Sequence, residues 1–305
     1  TQVGSSAASD VYKRQQLLSS RAGSGWPHGL TLTRLVARSL RRCDHSLFPI
    51  REGQRGEWLL SLLLPAVLSE APVALIASQS LRRRILQQEL PLLRSAGLVR
   101  PLWQGTSPPT SPCLWMLSPG DLVQAWQQGQ LGKHQLLCAE AEQLEELLGE
   151  GQAIRIEPEH WDRLSASQPG LRDALVQMHE RLSRQLLNRP LTRRPKLAIS
   201  REQEAPLRLL LQGQTDLPQP WQRWLECGDS SWTSWAIPDA QQLRWSLVRQ
   251  PLQPLQSLHG VLHQRGAVLA GSWDPEGLRL DALGLENPVV TVSYTHLTLP
   301  TILPV

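Results

Sequence analysis

Five short apolar runs divide the chain, and each predicts a buried β-strand. They are Ser46–Ile50, Val73–Ser78, Cys113–Leu117, His134–Ala139 and Gly266–Ala270. The runs are continuous rather than alternating in polarity, which is typical of strands covered on both faces of a parallel sheet. Because the carboxyl ends of such strands meet at one edge, we expect ligand-binding residues at that edge.

Segments with helical spacing of apolar residues accompany the strands. The predicted helices are Leu30–Arg42, Trp58–Leu68, Ser80–Ala96, Pro119–Gln128 and Glu140–Leu148. Pro65 is expected to kink or end the second helix, because proline has no backbone N–H. Strands that alternate with helices predict an α/β fold with a central parallel sheet.

The pattern changes after Gly151 and predicts a separate, mostly helical insertion over residues 151–254. Residues 158–190 and 201–227 have helical character, and the stripe Leu171, Leu175, Met178, Leu182 and Leu186 is interpreted as core. Five tryptophans follow, and we favour packing over base stacking for them: Trp221, Trp224, Trp232, Trp235 and Trp245. The chain is predicted to return to the first sheet over residues 255–291.

The two ends of the chain carry the signature of a DNA adapter. Asp10–Gln15 can be encoded by GATGTGTATAAGAGACAG, and the reverse complement of that DNA encodes Val-Ser-Tyr-Thr-His, the sequence of Val292–His296. We therefore expect residues 1–15 and 292–305 to be translated adapter sequence, not native protein. The first part of the native domain then covers residues 16–150, and the native chain is expected to be a fragment.

Composition indicates an ordinary globular protein with an unusual choice of side chains. The chain is 41% hydrophobic and 19% charged, and it contains 12 Trp but only one Phe. Its positive charge is almost entirely arginine, which fits either a GC-rich genome or an arginine-based binding surface. The formal net charge of +4 permits a nucleic-acid partner without requiring one.

Apolar runs and cysteines give no sign of a membrane span or a metal centre. No run approaches the roughly 20 residues of a transmembrane helix, so we predict no membrane partner and a cytoplasmic location. The four cysteines, Cys43, Cys113, Cys138 and Cys227, are widely separated and form no C-x-x-C pair. Buried thiols in a reducing compartment are the expectation, without a metal site.

Residues 51–59 follow the first predicted strand and have the layout of a degraded phosphate-binding loop. A working loop has the pattern G-x-x-x-x-G-K-[ST], in which lysine contacts the phosphates and the hydroxyl contacts magnesium. Gly53 is retained, whereas Glu57, Trp58 and Leu59 occupy the places of the second glycine, the lysine and the hydroxyl. The candidate nucleotide-binding residues are Gly53, Gln54, Arg55, Gly56, Glu57, Trp58 and Leu59.

His134–Leu148 resembles the strand and DEAH box of helicases of the DinG/XPD type. Ala139 stands where that family has its magnesium-binding Asp, and Glu142 stands in place of the His. Glu140 matches the family's water-orienting Glu, and Leu144, Glu145 and Glu146 match as well. The resemblance implies a RecA-like P-loop NTPase fold that uses ATP and magnesium, with Glu140 as the residual catalytic residue.

Other segments resemble the same family in the same order. Val73–Leu93 is similar to the strand and helix that contact single-stranded DNA, and Gly266–Asp274 lies where a motif couples ATP to DNA. The resemblance implies nucleic-acid contacts by Ser78, Gln79, Ser80, Arg82, Arg83 and Gln87. It also places an arch in the region of residues 151–254 and a second motor domain after residue 290. Only Cys113 lies where the family's iron–sulfur cysteines belong, so no cluster is expected.

Three functions remain open from the sequence. The degraded residues favour a helicase-like protein that binds single-stranded DNA without hydrolysing ATP, and no bound cofactor is expected. The alternatives are an active ATP-dependent DNA helicase and a non-catalytic α/β scaffold for protein interactions. Phosphoryl transfer depends on the lysine and on magnesium, which Trp58, Leu59 and Ala139 would not support.

Overall fold

The chain forms two compact units. In the computed structural model, residues 28–50, 55–98, 100–111, 113–187, 196–228, 230–239, 244–273, 279–285 and 288–290 are described. One unit is built from the chain up to Gly151 and from Leu255 onward, and the other is Gln152–Pro254. The segments predicted to be adapter-derived, 1–15 and 292–305, lie outside the described residues.

A seven-stranded sheet forms the centre of the first unit. Its strands are β1 Ser46–Pro49, β2 Val73–Ile76, β3 Leu102–Trp103, β4 Leu114–Leu117, β5 Gln135–Cys138, β10 Ala267–Gly271 and β11 Val289–Val290. Their order is β11-β1-β10-β5-β2-β4-β3, and every neighbouring pair is parallel. The five predicted strands are therefore confirmed as neighbours in one parallel sheet. The edge strands β3 and β11 have two residues each, which is too short for a periodic signal.

Helices cover both faces of this sheet. They are α1 Gly29–Arg42, α2 Arg55–Leu68, α3 Gln79–Arg84, α4 Leu90–Ser95, α5 Pro119–Gln127, α6 Leu144–Gln152, α11 His259–Gln264 and α12 Leu280–Leu283. Leucines of α1, α2, α3 and α4 pack with Phe48 and Leu75 on one face. Leucines of α5, α6 and α11 pack with Leu47 and Ile76 on the other. Successive strand residues thus enter opposite cores, which explains why the strands are apolar throughout.

The predicted helix Ser80–Ala96 is interrupted by a wider turn. Between α3 and α4, residues Ile85–Glu89 form a π-helical turn, and Pro91 lies near the start of α4. Proline has no N–H to donate, and its ring would clash with the carbonyl four residues earlier in a regular α-helix. The wider turn accommodates Pro91 without ending the helix.

Pro65 does not end α2, and the Ser61 carbonyl, which Pro65 cannot pair with, has another hydrogen-bond donor. The helix continues to Leu68. A regular helix would pair the Ser61 carbonyl with the N–H of residue 65, which proline lacks. The hydroxyl of Thr33 on α1 shares its single proton between that carbonyl, at 3.1 Å, and the Gly29 carbonyl of its own helix, at 2.8 Å. A side chain from the neighbouring helix therefore supplies the missing donor.

The second unit combines helices with a four-stranded antiparallel sheet that the sequence analysis did not predict. Its strands, in the order β6-β9-β8-β7, are β6 Ile154–Ile156, β7 Leu197–Ile199, β8 Trp232–Asp239 and β9 Arg244–Pro251. Its helices are α7 Pro158–Ser167, α8 Arg172–Leu187, α9 Arg201–Leu211 and α10 Trp221–Glu226. Helices occupy more residues than strands in this unit, but the sequence-based expectation of a mostly helical insertion omitted this sheet. Trp245 and Leu247 alternate with Ser246 in β9, a strand signal that the concentration of tryptophans obscured.

Buried tryptophans form the core of the second unit. Trp221, Trp224 and Trp245 are each at most 1% exposed, and their neighbours include Leu175 and Leu182 of the predicted apolar stripe. Trp161 contacts Trp221 edge to face, with 4.8 Å between ring centroids. Such arrangements are favoured by the charge distribution of aromatic rings. Packing is therefore confirmed for these three of the five tryptophans, since a buried ring cannot stack on a base.

Candidate nucleotide and nucleic-acid site

Polar residues follow three neighbouring strands at the carboxyl edge of the parallel sheet. Ser78 follows β2, Glu140 follows β5 and Ser272 follows β10. Because β10, β5 and β2 are adjacent and parallel, the three residues lie at the same edge. This edge is where the sequence predicts ligand binding.

Glu140 is held by the start of a helix from the adjacent strand. Its carboxylate is 1% exposed and accepts a hydrogen bond from the Ser78 backbone N–H at 2.8 Å and one from the Ser78 hydroxyl at 3.0 Å. The Ser78 oxygen also accepts from the Leu81 N–H at 3.2 Å, and so caps α3. The carboxylate is thus joined to the N-terminus of α3.

Glu142 makes a second link along the same edge. Its carboxylate accepts a hydrogen bond from the Ser272 backbone N–H at 3.2 Å. It also lies against Gly271, where an added Cβ would be 2.0 Å from the carboxylate oxygen. A larger residue at position 271 would therefore require the Glu142 carboxylate and the Trp273 ring to move. The sequence gives no signal of this link, because its donor is a backbone group.

The degraded loop lies partly outside the described residues. Gly53 and Gln54 are not described, and Arg55, Gly56 and Glu57 begin α2. Trp58 and Leu59 are 1% and 0% exposed and belong to the apolar core under the sheet. The side chains aligned with the loop's lysine and hydroxyl thus contact leucines rather than an open surface. Their role in nucleotide binding stays a prediction.

The position aligned with the magnesium-binding Asp is also apolar and closed. Ala139 is 0% exposed and lies in the same core as Trp58. In the described part of the chain, no group of three or more His, Cys, Asp or Glu side chains is arranged to hold a metal ion. Glu140 is the acidic residue nearest in sequence to this position, and its carboxylate is directed to Ser78.

The predicted nucleic-acid residues divide into anchoring and exposed positions. Ser78 is buried and Arg82 is half-buried, whereas Gln79, Ser80, Arg83 and Gln87 are exposed. Gln79, Arg83 and Gln87 are spaced by four residues, so they lie along one side of the helix. A strand-end serine therefore anchors a helix whose outer side carries polar and cationic groups.

Arg100 is a cation that serves the fold: it precedes β3 and contacts the segment between α2 and the start of β2. Its guanidinium donates to the Ala66 carbonyl in the last turn of α2 at 2.9 Å, and to the carbonyls of Ser69 and, at 3.1 Å, Ala71 in the segment that follows the helix. Burial lowers the pKa of Arg100 from its ordinary value. Burial likewise raises the pKa of the Cys113 thiol, with Arg100 acting in the opposite direction.

The arrangement defines a class of fold: a RecA-like α/β domain with its candidate site at the carboxyl edge of a central parallel sheet. Among solved structures, the chain is similar to Xpd4 of S. tokodaii, with 12% sequence identity and a TM-score of 0.55. The match covers 87% of this chain and 60% of Xpd4, so the chain spans less than two thirds of that protein's length. At this identity the likeness is one of fold.

No protein-family model matches the sequence, and no curated protein matches it significantly. In the described part of the chain, none of the helices is both long enough and apolar enough to cross a membrane.

Proposed function

We propose that this chain is a DinG/XPD-type helicase homologue that binds single-stranded nucleic acid and has lost ATP hydrolysis. The proposal joins the helicase-like fold to the chemistry of the carboxyl edge. On the nucleotide side of that edge, Trp58, Leu59 and Ala139 occupy the positions aligned with groups that phosphoryl transfer uses. On the nucleic-acid side, Ser78 caps α3, and Gln79, Arg83 and Gln87 are exposed to solvent.

The burial of Trp58 is the observation that carries the proposal. A P-loop lysine must extend to the β- and γ-phosphates of the nucleotide. Trp58, at the aligned position, is 1% exposed within an apolar core and offers neither charge nor a path to a ligand. Catalysis in this class comes almost entirely from positioning and charge stabilisation. The loss of the lysine therefore removes one of the main contributions to catalysis of phosphoryl transfer.

The magnesium side supports the same conclusion. Leu59 and Ala139, aligned with the two protein contacts to the metal, are both fully buried and have no oxygen ligand in their side chains. Glu140 remains, but its carboxylate accepts two hydrogen bonds from Ser78. We propose that Glu140 no longer orients water and instead holds the helix that contacts nucleic acid.

Nucleotide binding by the whole chain tests the first half of the proposal. Titration with a fluorescent ATP analogue is expected to show no magnesium-dependent binding, because the phosphate and metal contacts are absent. The exposed variant Arg83→Gln serves as a matched control and should behave like the parent chain. Tight magnesium-dependent binding by the parent chain would return the active helicase to first place.

Retention on single-stranded DNA tests the second half. Binding is expected at about 50 mM salt and should weaken steeply as salt rises, since phosphate contacts release counterions. Arg83→Gln should reduce the slope of log affinity against log salt by about 0.7, the contribution of one contact on a single strand. The control is Arg163→Gln, an exposed arginine of the second unit. Absence of retention at this salt concentration would favour the protein-interaction scaffold.

A further inference from the structure

Helix α1 presents a row of arginines to solvent. Arg34, Arg38, Arg41 and Arg42 are all exposed, whereas Leu32, Val36 and Leu40 on the other side are buried. Residues spaced by three, four, seven or eight positions share one face of a helix. The four arginines therefore form a single outer face, which we call the α1 arginine row.

Acidic partners are nearly absent from this row. Helix α1 itself contains no Asp or Glu. Arg42 forms an ion pair with Asp44, with 3.1 Å between nitrogen and oxygen, and the Arg41 Nε donates to the Ala37 carbonyl at 3.3 Å. Among the described residues, Arg34 and Arg38 have neither an ion pair nor a side-chain hydrogen bond. Within the described part of the chain, most of the row's positive charge is therefore not neutralised and is left for a partner.

The stability of the helix does not account for the row. Arg34 and Arg42 are each four residues from Arg38, and Arg41 is three residues from it, so these like charges repel and destabilise the helix. The helix dipole favours cations only in the last turn, which holds Arg41 and Arg42. Neither effect favours Arg34 or Arg38. A bound anion would relieve the repulsion at all four positions.

We propose that the α1 arginine row binds the phosphate backbone of single-stranded nucleic acid, as a second contact surface in addition to α3. This inference rests on the proposed nucleic-acid binding. Guanidinium groups bind phosphates through two parallel hydrogen bonds. At 1.5 Å per residue, Arg34 and Arg41 are separated by about 10 Å along the axis, which suits several phosphates of an extended strand.

The composition of the face favours nucleic acid over an acidic protein. Between Arg34 and Arg42 the exposed residues are all arginines. Protein interfaces are enriched in arginine, but they surround it with an apolar centre, and this row exposes no apolar side chain between Arg34 and Arg42. Contacts to phosphate need only charge and hydrogen-bond donors. A face that exposes only arginines therefore fits a phosphate backbone better than a protein surface.

Binding of the whole chain to a fluorescent single-stranded oligonucleotide tests the row. The variant Arg34→Gln/Arg38→Gln/Arg41→Gln is compared with Arg163→Gln/Arg172→Gln/Arg201→Gln, which removes the same charge from exposed positions of α7, α8 and α9. Glutamine keeps a good helix propensity, so the fold should persist, as circular dichroism would check. Removing three contacts should reduce the salt slope by about 2 for the row variant, and by clearly less for the control.

The outcomes separate this inference from the proposed function. If the parent chain fails to bind the oligonucleotide, the proposed function fails and the inference fails with it. If the parent binds but the row variant and the control have equal salt slopes, only the row is overturned. Arg38→Gln alone should raise the melting temperature of the free chain, because it removes the central like charge. A lowered melting temperature would contradict the repulsion on which the argument depends.

Discussion

Ser78 and Glu140 are joined by two hydrogen bonds across 62 residues of sequence. The Ser78 backbone N–H donates to one oxygen of the buried carboxylate at 2.8 Å, and its hydroxyl donates to the other at 3.0 Å. The contact exists because β2 and β5 are parallel neighbours whose carboxyl ends coincide. A residue that resembles a catalytic glutamate is therefore part of the cap of α3.

Replacing Glu140 should weaken both the fold and nucleic-acid binding. Glu140→Ala leaves the Ser78 N–H buried without its acceptor, and we expect a loss of about 2 kcal/mol in the free energy of unfolding. Glu140→Gln keeps one carbonyl oxygen and should cost roughly half as much. Urea unfolding measures both changes, and oligonucleotide titration should show weaker binding for Glu140→Ala.

A double-mutant cycle with Ser78→Ala isolates this contact. The combined loss in Ser78→Ala/Glu140→Ala should be smaller than the sum of the single losses, because each single change already breaks the hydroxyl–carboxylate bond. Additive losses would mean that Glu140 stabilises the chain through other neighbours.

Trp58→Lys should destabilise the chain instead of restoring a nucleotide site. The change removes a fully buried ring, at a cost of about 3–5 kcal/mol for the lost packing, and it buries an ammonium group. Thermal unfolding should show a large fall in melting temperature. If Trp58→Lys instead bound ATP in the presence of magnesium and lost little stability, residue 58 would have to face the loop and not the core.

Trp103→Lys is the matched control for this prediction. Trp103 lies on the edge strand β3 and is 43% exposed. Its indole N–H donates a hydrogen bond to the Ser107 carbonyl at 2.7 Å. A lysine there keeps its charge in water, so the cost should be much smaller than at Trp58.

The bond from Thr33 to Ser61 should matter only while residue 65 is proline. Thr33→Val leaves the Ser61 carbonyl without its hydroxyl donor, and we expect a loss of about 1 kcal/mol in unfolding free energy. In a Pro65→Ala background, the new N–H can pair with that carbonyl, so Thr33→Val should cost less. Urea unfolding of the four chains checks the difference, and equal costs in both backgrounds would refute the explanation.

His179 should make the second unit less stable in mild acid. The ring is stacked on Trp245 at 5.2 Å, and burial lowers the pKa of His179 below its ordinary value near 6.5, although Asp162 and Glu180 act in the opposite direction. The unfolded chain then binds the proton more readily than the folded chain. Stability is therefore fully present above about pH 6.5 and is lost as the pH falls toward the lowered pKa.

His179→Phe tests that dependence, since phenylalanine keeps a stacked ring that does not titrate. The variant should lose less stability than the parent chain between about pH 7 and pH 5.5, a range that brackets the ordinary histidine pKa. Thermal unfolding at several pH values gives the comparison. Parallel curves for the two chains would show that His179 does not couple protonation to folding.

The order of strands and helices could be predicted from the sequence because it depends on local pattern. A strand covered on both faces must be apolar throughout, and a helix on a sheet must be apolar on one side, so Val73–Ile76 and Gly29–Arg42 were recognisable alone. The antiparallel sheet of the second unit was missed. Its strands β8 and β9 mix buried with half-buried positions, and their tryptophans suggested a patch rather than an alternating strand.

Only the tertiary structure decided which partner each polar group contacts. The sequence marked Glu140 and Trp58 as candidate site residues, but not that one caps a helix through Ser78 and the other lies in the core. It marked Pro65 as a helix breaker, but not the donor on Thr33 that compensates for it. These contacts join residues that are far apart in the chain, and their geometry follows from how the strands and helices pack. Local sequence determines which elements form, whereas packing between them determines what each polar group meets.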